Sequence, residues 1–394
     1  MNIAGMLLRI ERLKQGKGQK EICQGICVVS YLSKIERGKV DPDPEILRRL
    51  FQELGIEYCC DRDFLAWAED LMKKAYYQLD YSLDRAAFRE LTPEDEKLSY
   101  SPFALDWIIL KGLERDEIPI EVLDECADAM DPQQLAWYYM VPDVCRGQEN
   151  IRRAKRAYEI LGSSTSLLHL ALAYWEASEY LKVQELCEQA ADLAVREGNT
   201  YNIADSFFMA GNLYACLKLD ELMFSNYERG IRLLQNTFWA EELDGVYYNM
   251  GATFLEMNRF DEARKYLDMV QGKHFLLDQK KCLLEIRTGN HEKAMQYLEE
   301  MEKEAAKLPP DHEIQLLMLE EARMELKKDF LSDRAYLNLL DRLMQLLEQE
   351  LHFGYMNFYH DQYKEACCRQ RMYRKAMEIE TKFSSITSKM LFKR

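Results

Sequence analysis

The apolar residues of the first 58 positions fall into short runs with helical spacing. Met6, Leu7, Ile10 and Leu13 share one face of a helix predicted from about Ile3 to Gln15, which Gly16 and Gly18 end. Ile22, with Cys23 beside it, marks a short helix starting at Gln19. Val28 or Val29, Leu32 and Ile35 then recur at i, i+3/i+4, i+7 and predict a helix from about Cys27 to Glu36. Between the two lies Gly25, which supplies the positive φ of a tight turn, and Gly38 closes the second helix as a C′ residue. Past the rigid loop Val40-Asp41-Pro42-Asp43-Pro44, a helix from Glu45 to Leu54 buries Ile46, Leu47, Leu50, Phe51 and Leu54. Asp43 is its expected N-cap and Pro44 its first residue. Two helices joined by a glycine turn, inside a small helical domain, form the outline of a helix-turn-helix. The second helix of such a motif enters the major groove.

Beyond Tyr58 the pattern lengthens into helical hairpins. Residues 64–79, 82–91, 102–113 and 119–130 read as helices separated by polar breaks such as Thr92-Pro93 and Asp131-Pro132. From about residue 160 a repeat emerges. Ala171-x₂-Tyr174, Gly211-x₂-Tyr214 and Gly251-x₂-Phe254 stand 40 residues apart, and the step Arg259-Phe260-Asp261-Glu262-Ala263 has counterparts at Gly289–Ala294 and Met372–Ala376. A small residue, an aromatic three later and a turn into a second helix resemble the tetratricopeptide (TPR) pattern. The small residues let paired helices approach, and the aromatics fill the gap between repeats. The organisation expected is all-α: a helix-turn-helix domain over residues 1–58, with five helices of the repressor type; divergent hairpins over 59–160; and a right-handed TPR-like superhelix over 161–394. C-terminal helices would cap the array or pair it with a second copy, with Met390-Leu391-Phe392 as an apolar end in need of cover.

Composition narrows the function. Only 17 Gly and 9 Pro among 394 residues agree with helices throughout, and 48% hydrophobic with 30% charged residues is ordinary for a soluble globular chain. No apolar run is long enough to span a membrane, and the amphipathic start MNIAGMLLRIERLK is unlike a signal peptide, so the chain is expected to act in the cytoplasm without membrane contact. Eleven cysteines, an odd number in a large unexported chain, read as free thiols. Neither they nor the six histidines are spaced as metal ligands, and no cofactor is implied. Charge is divided: residues 1–40 carry eight Lys/Arg against three acids, a net of +5 that leaves −21 for the rest of a chain of net −16. A basic head on an acidic body suits one end that meets phosphate. No P-loop, GxSxG or HExxH motif occurs, so an enzyme is not expected.

The candidate DNA contacts follow from the helix-turn-helix. Gln19 sits at a helix start, where backbone N–H groups already favour a phosphate. Lys20, Ser33, Lys34, Arg37 and Lys39 would add contacts to the backbone, chiefly electrostatic and independent of sequence. Val28, Val29, Ser30, Tyr31 and Lys34 open the recognition helix and would read bases. Its tip offers two valines where Gln, Arg or Asn would make bidentate contacts: either thymine methyl groups are read or specificity is weak, and one valine must face the core. In the array, the first helix of each hairpin lines the concave face, a common peptide groove. Trp175, Phe208, Asn212, Tyr248, Asn249, Leu255, Gln279 and Arg287 are placed there. Asn212 and Asn249 stand out because an amide can pair with both groups of an extended peptide backbone.

The residues Ile26-Cys27-x₂-Ser30-x-Leu32-Ser33-Lys34-Ile35-Glu36-x-Gly38, followed by a Pro loop and an LGI ending, resemble the recognition helix of repressor-type (Cro/C1, or XRE) domains of the PlcR kind. Joined to a TPR-like array, they resemble the peptide-pheromone-responsive regulators of Gram-positive bacteria, the RRNPP group (PlcR, Rgg and PrgX types). The resemblance implies a homodimer on double-stranded DNA at a partly palindromic operator, with a short linear peptide held in the TPR groove. Two alternatives stay open: control by a protein partner on the same groove, and a TPR adaptor without sequence-specific DNA binding.

Overall fold

The computed structural model describes residues 3–81, 84–114, 120–142, 144–177, 179–307, 312–350 and 353–392, and the regular elements among them are all helical. The chain forms two compact units. One comprises Met1–Ala173 with Arg196–Asn202, the other Tyr174–Val195 with Ile203–Arg394.

The first unit begins with α1 (Ile3–Lys14), α2 (Gln19–Ile22), α3 (Val29–Glu36) and α4 (Pro44–Gln52). These match the expected helices to within two residues at most ends, but residues 1–58 hold four helices where five were expected, the next one starting at Arg62. Asp43 caps α4 by accepting from the Glu45 N–H at 2.8 Å, with Pro44 in the first turn. The recognition helix starts at Val29 because Val28 is extended and serves as N-cap. Gly25 and Gly38 both take positive φ, 73° and 62°.

The unit continues through α5 (Arg62–Asp80), α6 (Ala86–Leu91), α7 (Asp95–Ser99), α8 (Ala104–Leu113), α9 (Ile120–Cys126), α10 (Pro132–Tyr139) and α11 (Gln148–Leu161). α12 (Ser164–Glu176) follows.

Helix α1 belongs to two cores. Ala4, Leu7 and Leu8 pack with Ile22, Leu32, Ile35, Leu47, Leu50 and Phe51 to form the interior of the head, which also takes in Ala104 of α8. Met6, with Ile3 and Ile10 beside it, joins Leu105, Ile108 and Ile109 of α8 and Ala136, Trp137 and Tyr138 of α10. The Cys59 N–H donates to the Tyr100 carbonyl at 2.8 Å, a further tie between the end of the head and the segment before α8.

The second unit is a run of hairpins. After α13 (Tyr180–Glu197) come α14 (Thr200–Cys216) with α15 (Asp220–Leu234), and α16 (Leu243–Glu256) with α17 (Phe260–Leu267). Then follow α18 (Phe275–Arg287) with α19 (His291–Ala305), α20 (Glu313–Glu325) with α21 (Arg334–Glu350), and α22 (Phe353–Arg369) with α23 (Tyr373–Phe392). The repeat residues act as their spacing implied. A Cβ on Gly211 would stand 2.5 Å from the Tyr227 ring, and one on Gly251 2.6 Å from Leu267, so α14/α15 and α16/α17 touch only because those side chains are absent. Phe254 stacks on Phe224 at 4.2 Å and on Tyr266 at 5.5 Å, filling the space between hairpins. Four of the turns pass through left-handed backbone at equivalent places, at Lys218, Asn258, Gly289 and Arg371. The final hairpin turns back on the array, where the Asn357 amide donates to the Cys216 carbonyl at 2.8 Å and α22 packs on α16. The side chains of Met390, Leu391 and Phe392 lie outside the described residues.

The closest helix approach in the head sets a prediction. A Cβ at Gly5 would lie 2.0 Å from the Ile35 carbonyl oxygen, against backbone that cannot move aside alone. Gly5→Ala is therefore expected to destabilise the fold by about 3 kcal/mol, at the upper end of overpacking costs, read as a lower midpoint in urea unfolding.

Candidate nucleic-acid interface and ligand cavity

The head positions its recognition helix through a buried ion pair. Arg12 on α1 reaches Glu36 at the end of α3, with Nε 2.6 Å from Oε1 and Nη2 3.0 Å from Oε2, and its third nitrogen donates to the Lys17 carbonyl at 2.8 Å. Both side chains are almost fully buried. Gln19 completes the group by donating to Glu36 Oε2 at 2.7 Å. The side chain expected to reach a phosphate thus has one amide N–H engaged by Glu36. A fork-to-fork pair of this kind fixes direction as well as distance.

With α3 so held, its outer face is defined. Val28, at the N-cap, is 67% exposed, whereas Val29 packs against the head core. Of the two valines, Val29 is the one facing inward. Ser30, Lys34, Arg37 and Lys39 are exposed along the same region, as is Lys20 on α2, while Tyr31 and Ser33 are half-buried. Arg37 folds back on the helix and donates to the Ser33 carbonyl and hydroxyl at 2.9 and 3.0 Å. The surface left to solvent is one apolar tip, a serine and several cations.

In the second unit, α14, α15, α16, α18 and α22 together with Trp175 line a half-open cavity of about 200 Å³. Four of the expected ligand residues line it: Trp175, Asn212, Tyr248 and Asn249. Asn249 Nδ2 donates to Asn212 Oδ1 at 3.0 Å, and the Tyr227 hydroxyl donates to the same oxygen, so the two amides are oriented by each other and by a buried phenol.

The other four are not on its wall. Phe208 is buried against Gly230 and Tyr227, as inter-helix packing. Leu255 is wholly buried in its hairpin. Gln279 is also wholly buried, donating to the Tyr359 hydroxyl at 2.6 Å and accepting from Lys280 at 2.8 Å. Arg287 is tied to Glu325 at 3.0 Å and to Gln362 at 3.3 Å. Helical register placed these residues one step off, because the inner face of each helix is shared between cavity and core.

Several wall residues carry no repeat signature: Ala252, Thr253, Glu256, Lys280, Tyr355, Asn357, Phe358 and Tyr359. Lys280 is the notable one. It is only 4% exposed, and its ammonium sits 3.5 Å from the centre of the Phe358 ring. Burial pulls its pKa down to about 7, despite the nearby carboxyls of Glu321, Glu256 and Glu325. Behind it, burial and the neighbouring Glu325 push Glu321 well up, whereas Glu325, although buried, is held low by Arg287. The signal for this group was the aromatic sequence Phe353-Gly-Tyr-Met-Asn-Phe-Tyr359, since a helix apolar on more than one face is one that packs on more than one side.

Residues 8–58 match the helix-turn-helix family model, so the N-terminal domain is a helix-turn-helix, as its geometry already indicates. Among solved structures, the chain is similar to the SHP pheromone receptor Rgg2 of Streptococcus dysgalactiae at 15% identity, with 75% of this chain and 99% of that chain covered. The TM-score is 0.19. No curated protein sequence matches the chain significantly. Among the described residues no helix is long and apolar enough to cross a membrane, and no group of His, Cys, Asp or Glu is arranged to hold a metal.

The state of Lys280 yields a prediction with a definite sign. In the unfolded chain its pKa returns to about 10.4, so between about 7 and about 10 the unfolded state binds more protons than the folded one. Stability then rises with pH across that window. Lys280→Met removes this contribution and is expected to be more stable than the wild type by about 2 kcal/mol at pH 7, with the difference shrinking toward pH 10 in urea titrations.

Proposed function

We propose that the chain is a DNA-binding transcriptional regulator, acting as a homodimer on a partly palindromic operator and controlled by a short linear peptide held in the second unit. The DNA-binding part is carried by the outer face of α3 and its two ends, where the exposed Val28, Ser30, Lys34, Arg37 and Lys39 and the half-buried Tyr31 are presented by a helix fixed by the Arg12–Glu36 pair. In this reading Lys34, Arg37, Lys39 and Lys20 meet phosphates, and Val28 with Ser30 and Tyr31 meets base edges. An exposed valine there suits a thymine methyl group. The peptide part is supported by the cavity, whose aromatic walls and paired asparagines suit an apolar side chain beside a backbone amide. Its volume of about 200 Å³ is small beside the ~300–1,000 Å³ of a drug-sized site, room for one end of a peptide in this reading.

Dimerisation is the usual means by which one small head gains affinity, since two half-sites about one helical turn apart are then occupied together. Most of the inner face of α22 is committed within its own unit through Met356, Tyr359, Tyr363 and Cys367, so it is not available to a second copy. α23 exposes Tyr373 and Met377, and α5 exposes Tyr77.

Three outcomes test this reading. Replacing Lys34 and Arg37 with alanine should weaken operator binding and reduce the salt slope by about 2, one for each cation taken away from a phosphate; an unchanged slope in a salt titration refutes these contacts. Sedimentation at micromolar concentration should give twice the 46.5 kDa chain mass, and a strict monomer with and without operator removes the dimer. The wild-type chain, purified from its native host and extracted with acid, should release a peptide of about five to ten residues; the Asn212→Ala, Asn249→Ala double variant should release much less, while basal DNA binding is kept.

A further inference from the structure

Lys280 is the charged group of the cavity that lacks a counter-ion of its own. Its one hydrogen bond among the described residues goes to the neutral Gln279 Oε1 at 2.8 Å. The surrounding carboxyls are already committed. Glu325 takes Arg287 at 3.0 Å and also the Gln362 amide. Glu256 pairs with Lys218 at 3.0 Å. Glu321 accepts from the Tyr336 hydroxyl at 3.2 Å, and burial together with the neighbouring Glu325 raises its pKa. An ammonium has three donors, and leaving them unmatched in a buried place is costly. The remaining wall beside Lys280 is aromatic: Phe358 offers only its ring face, and the Tyr359 hydroxyl already accepts from the Gln279 amide at 2.6 Å.

We infer that the cavity is completed by a carboxylate of the ligand, received at the Lys280 ammonium, with the apolar group next to that carboxylate lying among Trp175, Tyr248 and Phe358. The inference rests on the peptide reading given above and specifies which part of the peptide is enclosed. The chemistry is shared by two sources, a C-terminal carboxylate and an Asp or Glu side chain. The cavity size accommodates either one. The groups facing Lys280 are Glu256 from α16, Glu321 and Glu325 from α20, Arg287 on α18 and Tyr359 from α22; the three carboxyls are engaged elsewhere, and the ligand carboxylate supplies the direct counter-ion. The bound state then holds its proton on Lys280 where the empty cavity releases it near neutral pH.

The test uses the full chain and four synthetic heptapeptide libraries. Two have free C-termini and two are amidated, and one of each pair omits Asp and Glu. The immobilised wild type should retain the libraries that carry a carboxylate at least ten-fold over the amidated library that has none, the size expected for a charge-assisted hydrogen bond in a buried site. Preference for free C-termini in the absence of Asp and Glu assigns the terminal carboxylate, whereas equal retention of the amidated acidic library assigns the side chain. Lys280→Met should lose the preference and Lys280→Arg should keep it. For the best-retained sequence, titration calorimetry at pH 8 in Tris and in phosphate should differ in heat through proton uptake by the wild type, with no difference for Lys280→Met. Retention of all four libraries alike by the wild type, or a preference that survives in Lys280→Met, overturns the assignment while leaving peptide binding standing. Retention of none overturns both.

Discussion

The head depends on the pair between Arg12 and Glu36. Burying two charges is costly, and a pair of this kind contributes less to net stability than its geometry suggests. What it supplies is direction. The planar guanidinium meets both carboxylate oxygens, gives its third nitrogen to the Lys17 carbonyl, and leaves Gln19 to close the remaining side. The end of α3 is thereby set against α1 in a single register, and Gly5 allows the two backbones to approach at Ile35. An apolar pair at positions 12 and 36 would hold the helices together without saying how they are turned. A helix that must present Val28, Ser30 and Lys34 together is sensitive to that rotation.

The second unit solves a different problem, that of keeping polar groups inside a helical stack. Its hairpins are made by small residues and stacked aromatics, which need no polar partner. Where α22 turns back across α14, α16 and α18, polar side chains meet in the interior and bind one another: Asn357 to a helix-terminal carbonyl, Gln279 to Tyr359, Arg287 to Glu325 and Gln362. Lys218 adds a bridge from its left-handed turn to Glu256 and Asp361 at 3.0 and 3.5 Å. The cavity is the part of this interior that the chain's own side chains do not fill.

Much of this is legible in the sequence. Periodicity located the helices of the head, the cap at Asp43 and the glycine turn, because each is decided by neighbours a few residues away. The repeat of Gly211 and Gly251 announced the close helix contacts correctly. Which valine of the pair faced inward was not legible, since both fit a helical stripe and only the packing of Val29 against the head core decides. The cavity was half-legible. Asn212, Asn249, Tyr248 and Trp175 were found from register, but Phe208, Leu255, Gln279 and Arg287 were placed on a face that the structure turns into core. Lys280 and the α22 residues were missed because their position depends on a contact 141 residues apart, between Asn357 and Cys216, which no local pattern encodes.

The two-sided packing of α1 bears on how the head can be handled as a module. Cutting the chain after Tyr58 would leave the head interior without Ala104 and would strip cover from Met6, Ile3 and Ile10, which belong to the core shared with α8 and α10. An excised head would carry a new apolar stripe along its first helix, the kind of surface that drives self-association. A chimera that moves this helix-turn-helix onto another body must therefore bring α8 with it, or recolour Ile3, Met6 and Ile10 with polar residues. In this chain the natural seam for domain exchange lies well beyond the end of the sequence motif.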